Sequence, residues 1–535
     1  MTRFSDLPND VVESILGERV LTFDEVKQFL YYKCTYDGAL RELLKRSSVL
    51  VDLRPQEEQD MGTRASNLRR VKYSLAELLE VFKSQRNVLA IKAFTLVMNF
   101  EHVLHILGDD LCNLRKILQG LTKKRINIII QRKSNLDLNV LRKITDSIGS
   151  VVNDLNCEHF VRIFFNDLQS DHFREYKTVN LTTSGLNSLA VEFNDATDLT
   201  IEVSKDLKSL SASLCTMLSR LYLDASLPNN LQRLELRLCI SFNYSSLRML
   251  PHLKELIIIS SEIDYKELNN MCLMSLESLH LEDNDLGDIN CIPLAKMAPN
   301  LKELIVLNQD SNFRFTDVML PSALKKLTLT NNNMEEIKGT RLSGLENLDL
   351  SKNRLKDIAV LWSDPLPHIQ KLNLAYNESV IRDTCRFTNY SFSDCIFSNI
   401  TELSLEGCNI TDIDMERLSD MYEGRPLSSN LHTLSLSKNK LLNLRCFDSR
   451  FFSSLPLRML DLSFNKFTYI NSENFPISKA SHPYIYLIDF SKNFALSRVY
   501  NLNLKHDILI VNFKHTRINN ISSSIFGGKN VTIIK

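Results

Sequence analysis

In the second half of the chain one phrase keeps returning: LESLHLEDNDL, LKKLTLTNNNM, LENLDLSKNRL, IQKLNLAYNES, ITELSLEGCNI, LHTLSLSKNKL and LRMLDLSFNKF. Each copy places an apolar residue first, fourth and sixth, and an asparagine or cysteine ninth. With the first residue set at Leu253, Leu276, Leu301, Leu324, Leu345, Ile369, Ile400, Leu431, Leu457, Ile485 and Ile508, successive copies lie 21 to 31 residues apart. No other feature limits the fold so tightly. The fourth and sixth residues fall on one side of an extended segment, because strand side chains alternate. A strand this short cannot bury that side alone, so the copies must stack and share a core.

The phrase has the form LxxLxLxxNxL, the leucine-rich-repeat signature, with Cys408 in the asparagine slot once, as the pattern allows. It implies a solenoid in which the LxL leucines point inward and the asparagine bonds the backbone where the coil turns. Asn284, Asn332, Asn353, Asn377, Asn439, Asn465 and Asn493 are expected to form that ladder, a structural role without catalysis. Weaker copies stand upstream at Leu186 (LNSLAVEFN), Leu218 (LSRLYLDAS) and Leu231 (LQRLELRLC). The 13-residue step from Leu218 to Leu231 is too short for a full coil, so one of those two is not a repeat.

Between residues 46 and 180 the units are longer and helix-rich. VLVDL (Val49 to Leu53), AFTLV (Ala93 to Val97), INIII (Ile126 to Ile130) and VRIFF (Val161 to Phe165) read as strands separated by amphipathic segments. They suit irregular first turns of the same solenoid, with the polar stretch Pro55 to Asn67 as an exposed loop and VTIIK as a last strand capping the stack.

Composition narrows the function. Lys plus Arg and Asp plus Glu are equal at 64 each, so no global field favours nucleic acid or an anionic membrane, and nucleic acid is not expected as a direct ligand. The eleven cysteines are scattered without metal-type spacing and read as small buried hydrophobes in a reducing compartment. Neither an apolar leader nor a membrane-length apolar run is found, which suggests the cytosol or nucleus and leaves sequons such as Asn180-Leu-Thr unmodified. Catalysis finds no support, because GxxxxGK[ST], GxSxG, HExxH and paired-cysteine motifs are all missing. No cofactor, metal or catalytic residue is expected, and the chain reads as a non-catalytic receptor or scaffold.

The first forty-five residues differ from the repeats. In FSDLPNDVVESIL, Pro8 opens a helix, Asp10 sits in its first turn, and Val11, Val12, Ile15 and Leu16 form one apolar stripe. Thr22 and Glu25 make a capping box for a second helix, and Leu40, Leu43 and Leu44 mark a third. Three short helices ahead of a repeat array, opening on LPNDVVESIL, resemble an F-box followed by leucine-rich repeats. The second half departs from that pattern, since Tyr32, Lys33 and Cys34 stand without the tryptophan common near the third helix. The resemblance implies that Leu7, Pro8, Val11, Ile15 and Leu16 bind the Skp-type adaptor, and through it a cullin, of an SCF ubiquitin ligase. The alternative is that these helices only cap the solenoid.

The expected architecture is therefore α/β: a three-helix F-box-like module over 1–45, irregular helix-rich repeats over 46–180, and over 181–535 a leucine-rich-repeat solenoid with a parallel-sheet horseshoe. A protein client would meet the concave sheet. There the residues before the ladder position include Lys352, Tyr376, Lys438, Phe464, Lys492 and His515, basic and aromatic groups suited to an acidic or phosphorylated segment. Asp349, Asp461 and Asp489 would partly neutralise them, and LSxN phrases with a polar x are common in such repeats.

Three further stretches have bland and functional readings. The aromatic-rich insertion Phe387 to Asn399 is a binding loop or packing under the next coil. The basic run Arg115 to Lys133 is a phosphate-contacting patch, an import signal or a solvated edge. Arg162-Ile163-Phe164-Phe165 resembles a phosphatase-docking peptide, although Ile163 and Phe165 occupy inward strand positions. Three functions stand open: a substrate-recognition subunit of an SCF-type ligase, a non-degradative F-box scaffold such as one in a fungal kinetochore complex, and a plain repeat binding module resembling the phosphatase regulators.

Overall fold

A computed structural model describes residues 48–52, 70–73, 78–80, 83, 93–99, 116, 126–131, 159–165, 179–182, 188–193, 199–214, 218–223 and most of 229–535, with its larger gaps at 357–367, 381–398, 422–429, 446–455, 477–484 and 503–508. Leu7, Pro8, Val11, Ile15 and Leu16, expected from the sequence to bind an adaptor, the polar stretch 55–67 and nearly all of the insertion 387–399 lie outside the described residues. The chain divides into two compact units, Met1–Glu262 and Ile263–Lys535.

The first unit holds strands β1 (Ser48–Asp52), β2 (Arg70–Tyr73), β3 (Ala93–Asn99), β4 (Ile126–Gln131), β5 (His159–Phe165), β6 (Val179–Thr182), β7 (Ser188–Phe193), β8 (Leu199–Val203), β9 (Ser209–Ser213), β10 (Leu218–Leu223), β11 (Arg233–Arg237) and β12 (Glu255–Ile259). Its main sheet is parallel, in the spatial order β2, β1, β3, β4, β5, β7, β9, β11, β12. The four strands read from the sequence between 46 and 180 are all present; β2 is an addition, and it lies outside β1 instead of between β1 and β3. The segment Arg162–Phe165 is hydrogen-bonded within β5 between β4 and β7, so it is not a free docking peptide.

The ambiguous copies at Leu218 and Leu231 resolve here. β10 pairs with β8, and β8 with β6, in a second parallel sheet, so the Leu218 copy is not a repeat of the main sheet. The coil missing from the sequence reading is LKSLSASLC from Leu207, whose strand β9 sits between β7 and β11. Its sixth position is the fully buried Ala212, where a large aliphatic residue was sought. First positions at Leu186, Leu207, Leu231 and Leu253 restore steps of 21, 24 and 22 residues.

The second unit carries β13 (Ser278–Glu282), β14 (Glu303–Leu307), β15 (Lys326–Thr328), β16 (Asn347–Asp349), β17 (Lys371–Asn373), β18 (Glu402–Ser404), β19 (Thr433–Ser435), β20 (Met459–Asp461), β21 (Tyr469–Ile470), β22 (Leu487–Asp489), β23 (Arg498–Val499), β24 (Leu509–Asn512) and β25 (Val531–Ile534). All but β21 and β23, which pair with each other, form one parallel sheet in chain order. Equivalent leucines stay in register across it: Leu348 pairs with Leu372, Leu372 with Leu403 and Leu403 with Leu434. The register is therefore kept across both 31-residue steps.

The core follows from the phrase. In the copy at Leu345, the residues Leu345, Leu348 and Leu350 are all buried, each contributing about 1.5 to 3 kcal/mol of hydrophobic stabilisation. Towards the C-terminal copies phenylalanine takes over: Phe490 packs edge-on against Phe467 and Phe475 and stacks on Phe513, at centroid distances of 5.6, 5.3 and 5.8 Å.

All seven ladder asparagines are buried. Asn353 shows why. Its Nδ2 donates to the carbonyls of Leu329 and Leu350 at 2.6 and 2.9 Å, and its Oδ1 accepts from the N–H groups of Asn332 and Met334 at 3.0 and 3.2 Å. One side chain thus satisfies backbone groups of two coils, which burial would otherwise leave unpaired. Other residues do part of the same work: Cys408 donates its thiol to the Leu374 carbonyl, and Cys239 to that of Ala212. Ser261, Gln309 and Thr516 bond the backbone from the same slot.

Candidate protein-binding surface

The residue just before each ladder position, the turn position, has a left-handed backbone. In the second unit φ is +56° at Lys352, +59° at Tyr376, +66° at Gly407, +53° at Lys438, +54° at Phe464, +58° at Lys492 and +62° at His515. L-residues avoid this region, at a cost of about 1 to 2 kcal/mol. Hydrogen bonding holds them there. Six of these seven N–H groups reach a carbonyl of the next coil: Lys352 to Ala375, Tyr376 to Glu406, Gly407 to Ser437, Lys438 to Ser463, Phe464 to Ser491 and Lys492 to Lys514, at 2.6 to 3.0 Å.

All six proposed client-binding residues occupy this turn column, and the structure brings four of them into contact. The Lys438 ammonium lies 5.2 Å from the centroid of the Tyr376 ring and 5.8 Å from that of Phe464, and the Lys492 ammonium lies 4.5 Å from the Phe464 centroid. Tyr376, Lys438, Phe464 and Lys492 therefore make one cation–π series along the turns. Lys352 and His515 are exposed and have no side-chain contact of that kind among the described residues. Of the residues that directly precede the turn positions in the chain, Ser351, Ala375, Ser437 and Ser491 are buried, so in those copies it is the turn side chain that reaches the surface.

Two participants are not evident from the phrase alone. Glu406 accepts from the Tyr376 hydroxyl at 2.5 Å and pairs with the Lys438 ammonium at 2.8 Å. Burial pushes its carboxyl up, but the hydrogen bonds from Lys438 and Tyr376 and the Lys438 charge outweigh that, leaving it below the usual carboxylate range. The Lys438 ammonium is correspondingly raised, first by its hydrogen bond to Glu406 and then by that to Tyr376. Gly407 in the turn column was the available signal. A Cβ there would sit 2.8 Å from Tyr376 Cδ1, so the glycine leaves the space across which Tyr376 reaches the next coil. The second addition is Phe494, just after the ladder residue Asn493, whose ring meets Phe464 edge-on at 6.2 Å and is 61 % exposed.

Beside this column, the strand side chains form a polar face. A depression of about 380 Å³ over β15 to β19 is lined by groups including Lys326, Asp349, Lys371 and Glu402. Most are engaged locally: Lys371 pairs with Glu402 at 2.8 Å, and Asn373 donates to Asp349 at 3.0 Å. Farther along, Asp461 is raised by burial and by the charges of Asp489 and Glu406, against the hydrogen bonds from Ser463. Among the described residues no helix is long and apolar enough to cross a membrane. The cysteine expectation holds only in part: Cys239 and Cys408 are buried, whereas Cys272 and Cys291 are exposed, and all four are free.

The family model described as leucine rich repeat matches residues 322–378. Among solved structures, an internalin from Listeria monocytogenes is similar at 16 % identity and a TM-score of 0.33, over 67 % of this chain and 87 % of that one. No curated protein matches. The matched stretch spans the three consecutive copies from Leu324, Leu345 and Ile369, whose strands, left-handed turns and buried asparagines stack in register, and this stretch is built of leucine-rich repeats.

Proposed function

We propose that this protein is the non-catalytic substrate-recognition subunit of an SCF-type ubiquitin ligase, acting in the cytosol or nucleus. Leu7, Pro8, Val11, Ile15 and Leu16 dock the Skp-type adaptor, which carries the cullin, and the repeats hold the client protein. The observation that carries the reading is the order of modules: LPNDVVESIL, with its apolar stripe, directly precedes an array built for protein interaction.

The plain repeat binding module accounts equally well for the repeats themselves, and the buried ladder and registered strands need no ligase to explain them. A non-degradative scaffold differs from both by holding the adaptor without the cullin. Quantitative pull-down of tagged protein separates these readings, with wild type compared to a Leu7→Ala, Pro8→Ala, Ile15→Ala variant. Adaptor and cullin recovered with wild type and lost from the folded variant is the result expected of a ligase receptor. Adaptor alone is the scaffold result, and recovery of neither overturns the ligase reading.

A further inference from the structure

We infer that the turn column from Tyr376 to Phe494 is a docking site for an acidic linear segment that carries an apolar side chain beside its anionic group. Lys492 receives the anion, and Phe464 with Phe494 receives the apolar neighbour. This deepens the proposed client-binding role and is independent of whether a ligase is attached.

The argument begins with which cations are already neutralised. In the second unit Lys302, Lys325, Lys326, Lys356, Lys371 and Lys438 each pair with a carboxylate of another coil. Lys492 pairs with none among the described residues and instead lies over the Phe464 ring. An ammonium against an aromatic face gives up part of its hydration, so an incoming carboxylate or phosphate gains a charge-assisted bond with less water to displace.

The neighbouring carboxylates do not meet that need. Asp489 is held by the Ser491 N–H and Asn512, Asp461 accepts from the Ser463 N–H, and Glu406 is committed to Lys438 and Tyr376. The Glu406–Lys438–Tyr376 cluster has a different part. It fixes Lys438 over one face of the series, which orders the aromatic groups before a ligand arrives. Lys514 and His515, exposed on the next coil, add to the cationic side of the column.

The apolar half is equally specific. Phe464 and Phe494 are exposed by 36 % and 61 % while packed edge-to-face on each other, beside the uncompensated charge. Aromatic pairs standing in solvent next to a cation complement an acidic residue adjacent to an aromatic or aliphatic one.

The test uses the full chain and fluorescein-labelled peptides on a Gly/Ser background with a central Glu-Glu-Phe, phosphoserine-Glu-Phe or Lys-Lys-Phe. Fluorescence anisotropy is expected to show binding of at least one acidic peptide and not of the basic one. Lys492→Asn and Phe494→Ser should each weaken that binding about tenfold. Asparagine is chosen because it tolerates the left-handed turn, and circular dichroism checks that both variants fold. Lys356→Asn removes an ammonium already paired with Glu335 and should leave binding unchanged. A preference for phosphoserine over glutamate identifies phosphate as the anion, and equal binding identifies a carboxylate as sufficient. Binding of the basic peptide alone, undiminished binding by folded Lys492→Asn, or no binding of either acidic peptide overturns the inference. Peptide binding without adaptor recovery would instead overturn only the ligase reading.

Discussion

The ladder and turn columns lie one residue apart in every coil, yet they answer to opposite constraints. At the ladder position the side chain is buried and bonded to backbone on two coils, so asparagine prevails and its replacements, Cys239, Ser261, Gln309, Cys408 and Thr516, all offer a polar bond. At the turn position the backbone does the bonding and the side chain is released, so Lys, Tyr, Phe, His and Gly all occur despite a left-handed φ. The fold thus concentrates its polar satisfaction in one column and leaves the adjacent one available for recognition.

The largest effect should come from the ladder. Asn377→Ala removes buried donors to the Leu350 and Leu374 carbonyls and the acceptor for the Leu355 N–H. With about 1 to 3 kcal/mol at stake for each unsatisfied group, a loss of about 3 kcal/mol is expected in urea denaturation. The next rung, Cys408→Ala, removes only weak sulfur bonds, to the Leu374 and Glu406 carbonyls at 3.2 and 3.6 Å, and should cost only about 1 kcal/mol. Equal losses would show that the asparagine's extra bonds carry no stability and would break the comparison.

This asymmetry also explains what the sequence revealed. The ladder and the leucine positions were legible because burial permits few residue types, and the strands between 46 and 180 were legible as short runs of apolar residues. LKSLSASLC was missed because Ala212 satisfies an inward position without resembling a leucine, while LSRLYLDAS mimics the phrase on a strand of the second sheet. The turn column was legible as a list of basic and aromatic residues, but not as a contact series. Tyr376 and Lys438 are 62 residues apart in sequence and meet only because Gly407 clears the coil between them. Glu406 and Phe494 lay outside the motif positions used to find the surface.

Gly407 is where the turn column loses its freedom. Gly407→Ala places a Cβ against the Tyr376 ring at φ +66°, with an expected loss of about 1 to 2 kcal/mol from the backbone alone and more from displacing the ring. A double-mutant cycle with Tyr376→Ala separates the two contributions, because removal of the ring should leave only the backbone cost. An additive cycle would mean that the ring contact is inconsequential.

Thiol chemistry tests how closed the ladder column is without altering the fold. Burial pushes the Cys408 thiol up to about 11, against the backbone hydrogen bonds that favour its anion, so at pH 8 it is protonated as well as covered. Cys272 and Cys291 are exposed. Labelling of the native protein by a thiol reagent, mapped by mass spectrometry, should modify those two and spare Cys408 until denaturant is added. Rapid native labelling of Cys408 would show that the ladder opens locally.

The smallest effect should have the opposite sign. Lys352 holds a left-handed turn at φ +56°, is exposed, and makes no ion pair among the described residues. Its ammonium contributes little there, while its backbone conformation is one that asparagine enters more readily. Lys352→Asn should therefore raise stability by about 0.5 kcal/mol, in contrast to every ladder substitution. The measurement is the urea midpoint at constant m-value, since an unchanged slope assigns the shift to stability and not to altered compactness. A loss comparable to Cys408→Ala would mean that the turn side chain supports the coil after all, and the division of labour between the two columns would fail at the position where it should be cleanest.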